Sequence, residues 1–192
     1  ERIITLLTKV HKTIPRYFKG PSLVFWVFHV LRDYAQTLRQ DESRMSGELD
    51  ALMTTADNLE KEVGAINLVY GHNDLLAANF IDDGDRLWLV DWDYAGYNSP
   101  LFDLGGLASN NELSPEQEQW MLKTYYATEI GTNDFRRYEA MKCASLLREA
   151  MWSMVQEIHS ALDFDFVDYT DKNLTLFQNA LEQFKQNSEN YG

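Results

Sequence analysis

The chain has 192 residues, with 17 Lys and Arg against 30 Asp and Glu, a formal net charge of −13. That balance repels nucleic acid and anionic membrane and favours a cationic small molecule as partner. With 45% hydrophobic and 13% aromatic residues the chain is not disordered, and its single cysteine, Cys143, excludes an intrachain disulfide and a cysteine-based zinc site. One domain with a sizeable core is expected. No secretory signal stands at the start, and the most apolar run, Leu23 to Leu31, is too short to span a bilayer. A soluble, cytoplasmic protein with no membrane insertion is the expectation.

Glu1 to His11 reads as the middle of a helix without a capping residue, stopped near Pro15, so the chain is expected to be a fragment. Pro21 and Ser22 open a second helix to about Gln40, buried on several sides because Leu23 to Leu31 is apolar almost all round. Ser46 is a plausible N-cap for a third helix, whose stripe of Leu49, Leu52, Met53, Ala56, Leu59 and Val63 ends at Gly64. Ile66 to Tyr70 is a short strand, followed by two more around Asp83-Gly84, a hairpin signal. A short helix is expected near Asp103. Ser114-Pro115-Glu116-Gln117 has the capping-box pattern and opens a helix to about Glu129. The longest helix runs from Phe135 to about Ser160 and carries Cys143, expected as a buried, inert thiol. An acidic, aromatic loop follows over Asp163 to Tyr169. A last helix spans about Asp171 to Lys185, with a polar tail that frays. The result is an α+β fold, mainly helical, of about seven helices and about three strands.

The chemistry concentrates in Tyr70 to Asp93. Asp74 and Asn79 sit on the loop before the hairpin, and Asp91 ends the strand Leu87 to Val90 after it. A hairpin returns both its ends to one edge, so these three side chains should converge. Asn79 and Asp91 offer hard oxygen ligands suited to Mg²⁺, which leaves Asp74 to accept a proton from an incoming hydroxyl. That is the layout of a phosphoryl-transfer site.

The segments Gly71-His72-Asn73-Asp74-Leu75-Leu76-Ala77-Ala78-Asn79, Val90-Asp91-Trp92-Asp93-Tyr94 and Phe102-Asp103-Leu104-Gly105 together resemble the choline/ethanolamine kinase group of the aminoglycoside-phosphotransferase-like kinases. Met151 to Gln156 and Phe164 to Tyr169 resemble that group's C-terminal helices. The resemblance implies a protein-kinase-like C-terminal lobe whose small β-hairpin sheet carries the catalytic and metal loops. It implies ATP and Mg²⁺, with Asp74 as the catalytic base and Asn79 and Asp91 as metal ligands. His72, Asp93 and Asp103 would support the site, His72 as a brace rather than a base. Tyr94, Trp152 and Tyr169 fall where the family's aromatic choline pocket has its rings.

A quaternary ammonium donates no hydrogen bond, so aromatic faces and carboxylates are its natural partners. Ser145, Glu149, Trp152 and Gln156 share one helix face, while Leu147, Met151, Met154 and Ile158 form a separate apolar stripe. Trp152 therefore lies on a polar face beside Glu149, reasonable for a pocket, although a surface Trp or a Tyr169 packed on the last helix would read the same way. Eukaryotic choline kinases commonly carry a second Trp where Glu149 stands here, so choline, ethanolamine or another amino alcohol all remain candidates, and the composition is closer to bacterial choline kinase-like proteins. Nothing before Ile66 resembles the strand-rich N-terminal lobe of such kinases, so the 192 residues read as the C-terminal lobe alone. The expected reaction is ATP-dependent phosphorylation of a small cationic alcohol. The rivals are an aminoglycoside, thiamine or sugar kinase of the same fold, and a non-catalytic module derived from a kinase.

Overall fold

The computed structural model describes residues 1–190. Within them the chain forms seven α-helices: α1 (Arg2–Thr13), α2 (Val27–Gln40), α3 (Leu49–Val63), α4 (Pro100–Asn110), α5 (Pro115–Tyr126), α6 (Thr132–His159) and α7 (Phe166–Asn190). Four strands of three residues each, β1 (Val69–Gly71), β2 (Phe80–Asp82), β3 (Leu87–Leu89) and β4 (Gly96–Asn98), lie between α3 and α4. They form two antiparallel pairs, β1 with β4 and β2 with β3. The fold is thus mainly helical with small sheets. Among the described residues no helix is long and apolar enough to cross a membrane.

α6 is the axis of the molecule. Its 28 residues make a helix about 42 Å long, packed by α2, α3, α4 and α7. Neighbours on so many sides explain why Ala140, Met141, Ala144, Leu147, Met151 and Met154 are all buried. Cys143 belongs to the same core, and burial pushes its thiol up to about 12, as expected of an inert cysteine. α1 contributes Ile4, Leu7, Val10 and His11, and α3 contributes Leu49, Ala56, Leu59 and Val63.

α4 crosses α6 at Gly105. A Cβ there would lie 2.9 Å from Lys142 Cα and 3.1 Å from Lys142 N, backbone atoms that can yield only if a helix moves. Gly105→Ala is therefore expected to destabilise by about 1–3 kcal/mol, despite alanine's better helix propensity. Urea midpoints measure it, and an unchanged or higher midpoint would show the crossing to be loose.

Several boundaries differ from the sequence reading. The second helix does not start at Pro21. Leu23 to Phe25 are extended beside β4: the Tyr97 amide donates to Leu23 O at 2.8 Å and the Phe25 amide to Tyr97 O at 2.9 Å. Leu23 and Val24 are accordingly exposed rather than buried. A short apolar run rich in β-branched and aromatic residues suits either state, and here an unpaired sheet edge decides. Ser46 does not cap α3; its hydroxyl donates to Ser43 O at 2.7 Å and the helix starts at Leu49. α7 begins at Phe166, so Val167, Asp168 and Tyr169 are helical, because Asp165 accepts the Asp168 amide at 2.9 Å in the manner of an N-cap. It continues past Lys185 to Asn190, and residues 191–192 lie outside the described residues. The capping box at Ser114 and Gln117 forms as expected.

Candidate functional site

The loop after β1 is held by one buried carboxylate. Asp103, in the first turn of α4, accepts the amides of His72 at 2.8 Å and Asn73 at 2.7 Å and contacts His11 Nε2 at 2.8 Å. Burial works to raise its pKa, but the bond and charge of His11 and the two amides outweigh it and hold the carboxyl below the usual range. His11 Nδ1 lies 2.7 Å from the Tyr125 hydroxyl, so the network ties α1, α4 and α5 to the loop.

Asn73 takes the left-handed backbone, φ 66°, which asparagine tolerates. Its side-chain amide donates to Tyr94 O at 2.9 Å, and its oxygen accepts from Asn98 Nδ2 at 3.1 Å. His72 bonds Val90 O through Nε2 at 2.8 Å. A carbonyl only accepts, so Nε2 carries the proton. Nδ1 is buried and unpartnered. That bond braces the loop against the strand leading to Asp91.

Asp74 emerges from this clamped segment at the edge of the core, its side chain 14% exposed. Burial raises its pKa above the ordinary Asp value, Arg148 and His72 oppose the rise, and Asp91 adds to it. Asn79 is bound to the same segment, its Nδ2 donating to Asp74 O at 2.9 Å. The β2–β3 ladder, with Phe80 opposite Leu89, is extended by the Val90 amide donating to Asn79 O at 3.0 Å. Asn79 thus sits beside the strand that ends in Asp91.

Asp91 is exposed and also takes the left-handed backbone, φ 62°, which aspartate tolerates as asparagine does. With the Asn79 amide nitrogen engaged, its side-chain oxygen and the Asp91 carboxylate remain as hard donors on adjacent chain segments. They suit Mg²⁺, which takes one or two protein ligands and completes its shell with water and phosphate. Among the described residues no group of three or more His, Cys, Asp or Glu could cage a metal, so a site here would be of that open kind.

The residues expected at the acceptor pocket contact one another only in part. The Tyr169 hydroxyl donates to Glu149 Oε1 at 2.8 Å. Tyr94 lies under the Arg148 guanidinium, whose carbon is 4.5 Å from the ring centroid. Trp152, one turn further along α6, packs edge-on against Phe166 at 6.1 Å. Asp93 is exposed.

The family description "Choline/ethanolamine kinase" matches residues 1–114. The chain belongs to the choline/ethanolamine kinase family. Protein LicA of Haemophilus influenzae is 30% identical over 172 residues, covering 83% of this chain and 62% of that protein. Ethanolamine kinase 2 of Rattus norvegicus is 31% identical over 199 residues, covering 88% of this chain and 50% of that protein. The chain therefore spans between half and two thirds of the length of these two relatives. The crystal structure of a choline/ethanolamine kinase family protein from Mesorhizobium loti has a TM-score of 0.84 over 97% of this chain and 64% of that one, at 24% identity. That is a likeness of fold.

The segment matched by the choline/ethanolamine kinase family contains His72, Asp74, Asn79, Asp91 and Asp103; Glu149, Trp152 and Tyr169 lie beyond it. Two residues at the heart of the site went unread in the sequence. His11 stands seven residues after Ile4 and four after Leu7, on the same buried stripe, and a histidine in that register signals a buried partner. Arg148 stands between Leu147 and Glu149 on the central helix α6, where it is itself buried, and an arginine there has to pair with something.

Proposed function

We propose that these 192 residues form the catalytic-loop and acceptor lobe of an ATP- and Mg²⁺-dependent phosphotransferase. Its acceptor would be the hydroxyl of a small cationic alcohol, choline or ethanolamine, and its setting the cytoplasm. The observation that carries the reading is Asp74 itself. It is a half-buried carboxylate on a loop pinned by Asp103, with Asn79 and Asp91 beside it.

In this mechanism Asp74 accepts the proton as the acceptor oxygen forms its bond to the γ-phosphorus and the bond to the departing ADP oxygen breaks. Asn79 and Asp91 would hold Mg²⁺, which when bound neutralises charge on the phosphates. Glu149, with the rings of Tyr94, Trp152 and Tyr169, offers a carboxylate and aromatic faces to a cationic head group. The names of the relatives, ethanolamine kinase among them, support that acceptor class.

A coupled ADP-release assay of the intact protein, with its nucleotide-binding lobe, over choline, ethanolamine, thiamine, a neutral sugar and kanamycin tests the proposal. The expected result is turnover with choline or ethanolamine that depends on Mg²⁺. Turnover of kanamycin and neither amino alcohol would transfer the site to another acceptor class, and no turnover of any of them would favour a non-catalytic module.

A further inference from the structure

Residues 2–32 contain none of the chain's 30 Asp and Glu but six of its 17 Lys and Arg. Arg2 and Arg32, at the two ends, pair with Asp82 and with Asp57 and Glu60. Between them Lys9, Lys12, Arg16 and Lys19 are exposed, and none is in an ion pair among the described residues. The net charge of −13 thus conceals a local reversal of sign.

At the centre of this stretch is the connection from α1 to α2. It opens with a 3₁₀ turn, Ile14–Tyr17, and every residue from 16 to 24 is exposed. Tyr17 at 79% and Leu23 at 74% are the most exposed large apolar side chains among the described residues, and Val24 stands beside them at 64%. Single exposed apolar side chains are ordinary, but a run of them among cations marks an interaction surface. The connection is not slack. Phe18 turns back onto the Tyr70 ring, edge-on with centroids 4.4 Å apart, and Tyr70 meets Tyr97 in the same way at 5.7 Å. Past Gly20, the Leu23 carbonyl and the Phe25 amide are held by Tyr97. Tyr17, Lys19 and Leu23 are therefore presented on a loop pinned at both ends, which loses little entropy when a partner orders it.

We propose that loop 16–24 docks the protein on an anionic lipid surface, with Tyr17, Leu23 and Val24 at headgroup level and Arg16 and Lys19 on lipid phosphates. Charge complementarity selects an anionic partner. The apolar side chains select lipid over nucleic acid, because they gain only where an apolar layer lies beneath the charges. Tyrosine suits that boundary, apolar in body and polar at its tip. Screening limits each charge to a reach of roughly 8 Å at physiological salt, so the local cations, rather than the whole-chain sum, set the contact. The docking is peripheral and needs no spanning helix. It is independent of the acceptor and of the catalytic assignments.

Cosedimentation of the intact protein with vesicles tests the proposal. Binding is expected to vesicles of equal parts phosphatidylcholine and phosphatidylglycerol, to weaken as salt is raised, and to be absent with phosphatidylcholine alone. Arg16→Gln with Lys19→Gln is expected to weaken it about 10–30-fold. Tyr17→Ser with Leu23→Ser is expected to weaken it about tenfold or more. Both double variants should keep the wild-type melt and turnover. No binding to the mixed vesicles, equal binding to phosphatidylcholine alone, or full binding by either double variant would overturn the proposal. So would a dimer in light scattering that Tyr17→Ser with Leu23→Ser converts to a monomer, since the loop would then be a contact between copies of the chain. Should a double variant melt early, the wild-type comparison of the two vesicle types decides alone.

Discussion

Replacing Asp74 with alanine is expected to lower kcat by about 10²–10⁴-fold, the usual contribution of a positioned base, with nucleotide affinity and fold retained. The selectivity follows from where the carboxylate sits. The loop geometry is set by backbone amides bonded to Asp103 and by the side chains of His72 and Asn73, none of which involves the Asp74 carboxyl. Burial already pushes that carboxyl up, so the folded state binds its proton more tightly than the unfolded chain does. Its contribution to stability is therefore present at low pH and lost as pH rises through the folded value, and deleting it removes nothing at neutral pH. Arg148 keeps Glu149 as a partner. Steady-state kinetics with a nucleotide titration and a thermal melt check all three expectations. Near-normal turnover would remove Asp74 from the mechanism.

Asp103→Ala is expected to do the opposite, destabilising the fold by about 3–5 kcal/mol, the range for breaking a buried, hydrogen-bonded charge. It would strand two amides and the His11 ring in one place. The pH dependence has a definite sign. The folded carboxyl is held below its ordinary value, so its stabilisation is complete above the unfolded pKa, about 3.9, and is lost as pH falls through the folded value. Asp103→Asn keeps the shape without the charge, so its stability should depend less on pH across that acid window. Urea unfolding of both variants over a pH series measures this. An Asp103→Ala protein as stable as wild type at neutral pH would show that the carboxylate is not a structural hub.

Where structure was legible in the sequence, its causes were local. The Ser114 capping box, the turn at Asp83-Gly84 and the α3 stripe each depend on residues within a few positions of one another, and each formed. The loop carrying Asp74 and Asn79 and the strand ending in Asp91 also meet through a local hairpin. What was misread depends on distant partners. Leu23 to Phe25 are extended because Tyr97, more than seventy residues away, offers a strand edge. Arg148 finds its neighbours in Tyr94 and Asp74, on separate segments. The first turn of α7 looked like loop because its acids are turn formers, yet Asp165 is there as a cap.

Gly105 has a reach beyond stability. It presses on the α6 backbone at Lys142, six residues before Arg148, so the absence of a side chain there fixes how near that helix lies to the loop. The approach of α6 to the loop, where Arg148 lies 3.6 Å from Asp74, is thus set in part by a residue with no charge. A library that varies only residues lining the pocket would miss this control. Variants at Gly105 that still fold would shift α6 against the loop while every ionisable group remained in the sequence.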